Sequence, residues 1–117
     1  MGEKLVRDGV PALYGLNADA PVYRVADRSE MFDLLIAKLR EETEELAGSK
    51  DPEELADVLE VVKALADAIG STEASVENTR RAKVENAGGF QERIVWRMPP
   101  PSIRAVEVGE PVGPEGT

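Results

Sequence analysis

The sequence predicts an all-α fold, in which an antiparallel helical hairpin is followed by a third helix. Two successive segments carry apolar residues at helical spacing, and each begins at a capping signal. A third segment of about 15 residues lies between Gly70 and the pair Gly88-Gly89, and it is mostly polar. The apolar second helix has too little cover from this polar helix, so we expect a four-helix-bundle core that is completed by oligomerisation.

The first helix is predicted to begin near Asp27, because Asp27 and Glu30 are spaced as a capping box. Its apolar positions follow at 3–4-residue steps, and Gly48 and Ser49 are expected to end it. Residues 1–26 carry turn signals and predict an irregular segment, with a brief extended stretch at 22–25.

The second helix has the clearest start in the chain. Asp51 is suited to the N-cap, Pro52 to the first helical position, and Glu54 to the third, where it would complete a second capping box. Gly70 is expected to end this helix. A third helix capped by Ser71 or Thr72 should run to Ala87.

The remaining chain predicts less regular structure. Residues 90–98 are compatible with a short strand, and residues 99–117 are rich in Pro, Gly and Glu without any apolar period. The sequence therefore predicts one domain at 1–98 and an extended or disordered tail at 99–117.

Composition restricts the chemistry. The chain of 117 residues has no Cys and no His, which excludes disulfides, thiolate chemistry and His-based catalysis. With 23 acidic and 14 basic residues, its net charge of −9 disfavours nucleic-acid binding but permits a nucleotide bound through metal ions. No apolar run is long enough for a bilayer, and no signal-peptide core precedes the domain, which predicts a cytoplasmic protein without membrane attachment.

Four acids stand out around the turn between the first two helices. Glu42 and Glu45 precede it, and Glu54 and Asp57 follow it, each pair three residues apart on one helix face. Glu42 lies seven residues after Leu35, and Glu54 and Asp57 lie seven and four residues before Val61. Each pair therefore continues a line of core-facing residues, where an acid is costly unless it is paired or binds a metal.

Two interpretations of these acids remain open. Charge runs in an acidic protein are usually solvated faces, and charge counts alone favour that interpretation. The inward phasing and the similar heights of the two pairs along neighbouring helices favour a site for a hard cation such as Mg²⁺ or Mn²⁺.

Three segments of the chain carry recognisable motifs: KLVRDGVP at residues 4–11, EELADVLEV at 53–61, and Lys83 through Gly88-Gly89-Phe90 to Arg93. In this order they resemble the N-terminal KLVRDxIP segment, the second metal-binding helix and the K…GGF…R segment of one family. That family is the MazG-like and phosphoribosyl-ATP pyrophosphohydrolase-like family of all-α NTP pyrophosphohydrolases. The joint order of the three segments is more specific than any one of them. The eight residues between Glu45 and Glu54 form a shorter gap than the family usually has.

The resemblance implies an activity and a set of site residues. It implies Mg²⁺-dependent hydrolysis of a nucleotide between its α- and β-phosphates, giving the monophosphate and pyrophosphate. It assigns metal binding to Glu42, Glu45, Glu54 and Asp57, and a role in orienting water or accepting a proton to Glu41. Lys4, Arg7, Lys83 and Arg93 become candidate substrate contacts, although each is also compatible with a solvated surface.

Three functions are therefore compared. The first is a nucleoside triphosphate pyrophosphohydrolase that forms a homodimer or homotetramer. The second is a non-catalytic helical oligomer or metal-binding module on the same scaffold, since a fold does not guarantee an activity. The third is a phosphoribosyl-ATP pyrophosphohydrolase, which the N-terminal segment favours less because it resembles the general NTP branch.

Overall fold

The computed structural model describes residues 2–97, and these residues are helical wherever they are regular. The helices are α1 (Val10–Leu13), α2 (Met31–Ser49), α3 (Pro52–Ala68) and α4 (Glu73–Ala87), with a 3₁₀ turn at Arg28–Glu30 leading into α2. The predicted all-α class is confirmed for this part of the chain. None of its helices combines the length and the apolar character needed to cross a lipid bilayer.

The entry into α2 is fixed by the predicted capping box. Asp27 accepts from the backbone at Glu30, and the backbone N–H of Asp27 donates to Glu30 Oε2 at 2.9 Å. The box starts the 3₁₀ turn, and the α-helix proper follows from Met31. The predicted start near Asp27 is thus confirmed.

The exit from α2 differs from the expected glycine stop. Gly48 and Ser49 both remain helical, and Lys50 takes the left-handed conformation at φ 56° that usually falls to glycine. The N–H of Lys50 donates to the carbonyl of Leu46 at 2.8 Å and closes the last turn. Lys50 and Asp51 then form the whole link to α3.

The start of α3 is confirmed at Asp51 and Pro52, but the second capping box is absent. The Asp51 carboxylate accepts from the N–H of Glu53 at 3.0 Å, and the N–H of Asp51 donates to Ser49 Oγ at 3.1 Å. The N–H of Asp51, which Glu54 was expected to bind, is thus bonded to Ser49 instead. The Glu54 carboxylate is therefore not used in capping α3.

Two further expectations need correction. α1 is a short helix inside the segment that the sequence predicted to be irregular, with Pro11 buried in its first turn. Residues 90–97 form turns and irregular chain instead of a strand, and a strand there would have no partner, since the described residues contain none. Met98 and the predicted tail at 99–117 lie outside the described residues.

The described chain divides into two compact units between Glu73 and Ala74. In the first unit α2 and α3 pack against each other, and Leu35, Val61 and Ala66 are its buried apolar side chains. The second unit begins with α4, whose bounds confirm the predicted third helix and which contains no buried residue.

Candidate functional site

Three of the four predicted acids meet where α2 and α3 approach their link. One carboxylate oxygen each from Glu42, Glu54 and Asp57 lies within 4.8 Å of the other two. Glu54 and Asp57 share a face of α3 because they are three residues apart, and Glu42 faces them from α2. The inward phasing predicted from Leu35 and Val61 is confirmed for Glu42, which is buried as both apolar residues are. Glu54 and Asp57 are half-buried.

Glu42 is the buried member of this cluster. Only 7% of the residue is exposed, and its Oε2 lies 3.4 Å from the Nζ of Lys38. Its other oxygen, Oε1, is buried without a hydrogen-bond partner among the described residues. A buried carboxylate oxygen without a donor carries its full desolvation cost, which a bound cation would offset.

The surroundings of Glu54 oppose its ionisation. Loss of surrounding water raises the pKa of its carboxyl group, and a hydrogen bond to Asp57 and the negative charges of Glu45, Asp57 and Glu42 raise it further. Each of these effects disfavours the charged form when no cation is present. A divalent cation would reverse the repulsion between these carboxylates.

Three basic side chains surround the carboxylates. Arg7 donates to Asp57 Oδ1 at 2.6 Å, and Lys4 reaches Glu41 Oε2 at 3.0 Å. Lys38 Nζ lies 3.1 Å from Glu41 Oε1 as well as near Glu42, and 18% of its side chain is exposed. Sequence reasoning missed Lys38, although its spacing of four residues before Glu42 was the signal that placed it on the same inward line.

Glu41 lies beside the cluster as an ion-paired carboxylate. Hydrogen bonds from Lys4 and then from Lys38 lower the pKa of Glu41 below its ordinary value. A lower pKa makes a carboxylate a weaker proton acceptor, so these contacts disfavour Glu41 as a general base. Its role in catalysis stays a prediction.

A pocket of about 420 Å³ adjoins the carboxylates in the first unit. Residues 5–8 line one side, and α2 and α3 line the others. Apolar side chains such as Leu5, Leu35 and Val61 form part of its wall, and its polar lining consists of Arg7, Asp8, Lys38, Glu42, Asp57 and Glu60. Apolar and charged residues contribute equally to the lining, so the pocket is more polar than a usual small-molecule site and suits a charged ligand bound with a cation.

The other candidate residues are not part of this cluster. The inward position predicted for Glu45 is wrong, because Glu45 is exposed on α2; it acts on Glu54 only through its charge. Lys83 is exposed on α4 in the second unit. Arg93 lies in a turn of that unit with a left-handed φ of 59°, its N–H donating to the carbonyl of Phe90 at 3.2 Å. Substrate binding by Lys83 and Arg93 stays a prediction.

The donor set restricts the ligand that the cluster could hold. Three carboxylates without any Cys or His suit a hard cation such as Mg²⁺, Mn²⁺ or Ca²⁺. Comparison with protein-family models, with curated proteins and with solved structures finds no significant match to this chain. The likeness to the MazG-like pyrophosphohydrolases therefore depends on the three sequence segments, and family membership stays a prediction.

Proposed function

We propose that this chain is a metal-dependent nucleoside triphosphate pyrophosphohydrolase that cleaves between the α- and β-phosphates to give a monophosphate and pyrophosphate. The observation that carries the proposal is the buried, unpartnered Oε1 of Glu42 within a group of three carboxylates. The adjoining pocket supports it, because it joins these carboxylates to a space that also has Arg7 and Lys38 in its lining. Since acidic residues outnumber basic ones in that lining, an anionic ligand would bind there together with the cation.

In this proposal Glu42, Glu54 and Asp57 hold Mg²⁺ or Mn²⁺. Glu45, the fourth acid that the resemblance assigns to the metal, adds negative charge from α2 outside this group. A cation bound there supplies positive charge for the phosphates and a water of lowered pKa, so that no His is needed. Lys4, Arg7 and Lys38 provide further positive charge at the same end of the first unit. These basic groups would favour the charge that develops on the departing pyrophosphate.

The proposed arrangement includes an antiparallel α2–α3 hairpin and a second copy of the chain. The two-residue link between contacting helices favours the hairpin. Leu55 and Leu59 of α3, and Ile69 directly after it (here together called the α3 segment), are at least half exposed. Each hairpin therefore carries apolar surface that a second copy would bury. A homodimer or homotetramer with a four-helix core satisfies this requirement.

A non-catalytic metal-binding module is the second candidate. The ion pairs of Glu41 with Lys4 and Lys38 favour it, because they weaken the one acid that the resemblance offers as a proton acceptor. Both candidates predict cation binding at the same carboxylates, and only the first predicts turnover.

The test is a pyrophosphate-release assay over a panel of NTPs and dNTPs with Mg²⁺ or Mn²⁺. We expect at least one nucleotide to yield pyrophosphate, Glu54→Gln to lose most of this activity, and the exposed-acid control Glu44→Gln to retain it. Release of orthophosphate alone, or no turnover across the panel, would refute the enzymatic proposal and leave the metal-binding module.

A further inference from the structure

The Asp57 carboxylate lies between a basic side chain and the candidate cation site. It belongs to the group of three carboxylates, and it also accepts a hydrogen bond from Arg7 at 2.6 Å. A guanidinium and a divalent cation that share one carboxylate repel each other at a separation of a few ångströms. A cation that enters the cluster therefore weakens the bond between Arg7 and Asp57.

The segment that carries Arg7 is held mainly by its side chains. Residues 2–8, here called the N-terminal arm, precede α1 and have no helical or strand structure. The ion pairs of this arm join Glu3 to Arg24, Lys4 to Glu41 and Arg7 to Asp57, all with substantially exposed partners. Exposed ion pairs contribute little free energy each, so the contact of Arg7 can be exchanged without unfolding the helices.

Arg7 also lines the pocket next to the cluster, together with Leu5, Val6 and Asp8 of the arm. Once it leaves Asp57, its guanidinium lies at the edge of this space with all five of its N–H donors available. Such a group binds phosphate oxygens in a bidentate manner.

We propose that Arg7 is a cation-released latch: it occupies Asp57 in the metal-free protein, and a divalent cation bound by Glu42, Glu54 and Asp57 frees it to bind an anionic group in the adjoining pocket. The inference rests on the proposed function only in that these three carboxylates bind a divalent cation. It predicts that the cation and a phosphate-bearing ligand bind with positive coupling that passes through Arg7.

The direct test is a Mg²⁺ titration of the full chain followed by NMR of the arginine side-chain Nε–Hε groups. We expect the Arg7 signal to move toward that of a free arginine as Mg²⁺ binds. Arg80 is an internal control, because it is paired with Glu77 within α4 and has no contact with the arm among the described ion pairs, and its signal should stay. Inorganic pyrophosphate added to the Mg²⁺-loaded protein should move the Arg7 signal a second time.

The matched variants are Arg7→Gln and Arg40→Gln. Arg40 is exposed on α2 two residues before Glu42, which places it on the opposite face of that helix. Arg7→Gln should tighten Mg²⁺ binding about two- to fivefold relative to Arg40→Gln, the weight of one exposed ion pair. It should also weaken pyrophosphate binding to the loaded protein about tenfold, and Arg7→Lys should restore part of that loss.

Three results would overturn the latch: Mg²⁺ fails to bind, the Arg7 signal stays fixed or moves no more than that of Arg80, or the two glutamine variants bind Mg²⁺ equally. The proposed function has a separate readout. If no nucleotide is turned over but the Arg7 signal responds to Mg²⁺, the enzymatic proposal is refuted and the latch is supported. If a nucleotide is turned over but the Arg7 signal stays fixed, the latch is refuted and the enzymatic proposal is supported.

Discussion

At the acidic end of α2, the ammonium of Lys38 lies 3.1 Å from Glu41 and 3.4 Å from Glu42. Among the ion pairs of the described residues, Lys38 is the basic partner of the buried Glu42 carboxylate. Lys38 thus partly offsets the cost of a buried acid while the cluster holds no cation. A bound divalent cation would offset the same cost, so Lys38 would then matter less for stability.

The substitution Lys38→Met tests this role. Without divalent cations it should lower the free energy of unfolding by about 1–3 kcal/mol, because a buried carboxylate loses its charged partner. Millimolar Mg²⁺ should narrow the difference from wild type. Lys63→Met, at an exposed position of α3, should change stability by less than about 0.5 kcal/mol in either condition.

Denaturant unfolding with EDTA and with Mg²⁺ provides the measurement. A Lys38→Met deficit that Mg²⁺ leaves unchanged, or one that Lys63→Met shares, would show that Lys38 does not substitute for a cation.

Helical phase explains which site residues could be predicted from the sequence. Glu42, Glu54 and Asp57 continue the apolar lines of Leu35 and Val61, and the structure brings these three acids together. Glu45 could not be separated from them by phase alone, because a residue three positions from a buried one lies only near the edge of the same face. Arg7 was identified only through the family resemblance, since its contact with Asp57 spans 50 residues of chain.

At the scale of elements, Arg24 joins the chain before α1 to the start of α2. Its guanidinium donates to Glu3 and to both oxygens of Glu30, and Glu30 also accepts from the N–H of Asp27. The hydrogen bond from Arg24 and then that from the Asp27 backbone lower the pKa of Glu30 from 4.5 to about 2. The half-buried carboxylate of Glu30 thus takes part in the capping box and binds the same Arg24 that contacts Glu3 of the arm.

A depressed carboxyl pKa sets the direction of a pH effect. The stabilising contribution of Glu30 is complete above its unfolded-state pKa and is lost as the pH falls from about 4.5 to about 2. Glu30→Gln should therefore lower the melting temperature at neutral pH, and the gap to wild type should close toward pH 2.

Melting curves at several pH values check this, with Glu44→Gln as the control at an exposed position of α2. If the deficit of Glu30→Gln is the same at neutral and acidic pH, the ion pair with Arg24 does not stabilise the entry to α2.

The helix boundaries show where local signals suffice. The starts of α2 and α3 follow side-chain caps at Asp27 and Asp51, which are visible in the sequence. α2 ends at Ser49, as predicted, but the left-handed cap at Lys50 was missed because that position falls on a non-glycine residue. α1 was missed because four residues are too few to show an apolar period.

At the scale of the whole molecule, the α3 segment carries apolar side chains that the described residues leave open. Leu59 is 67% exposed and Ile69 is 63% exposed. If two copies pair through this surface, Leu59→Glu should weaken the association at least about a hundredfold, because each copy loses an apolar contact and gains a buried charge.

Light scattering at micromolar concentration measures the outcome. We expect the wild type to be a dimer or tetramer and Leu59→Glu to be a monomer. Leu13→Glu, at an exposed position of α1, should retain the wild-type mass. A monomeric wild type would contradict the proposed oligomer.

The central claim is that Glu42, Glu54 and Asp57 form a divalent-cation site. A cation that binds only the folded chain stabilises it by about 2.7 kcal/mol at a hundredfold excess over its Kd. Glu54→Gln should hold or raise the metal-free stability, because one repelling charge is removed, and it should reduce the gain from the cation, because one ligand is removed. Glu44→Gln should do neither.

Thermal melts of the wild type, Glu54→Gln and Glu44→Gln, each with EDTA and with millimolar Mg²⁺, test that claim most directly. The predicted result is a large Mg²⁺ shift for the wild type and Glu44→Gln and a small shift for Glu54→Gln, whose EDTA melting temperature is at least that of the wild type. Equal Mg²⁺ shifts in all three proteins would contradict the cation site and, with it, the proposed function.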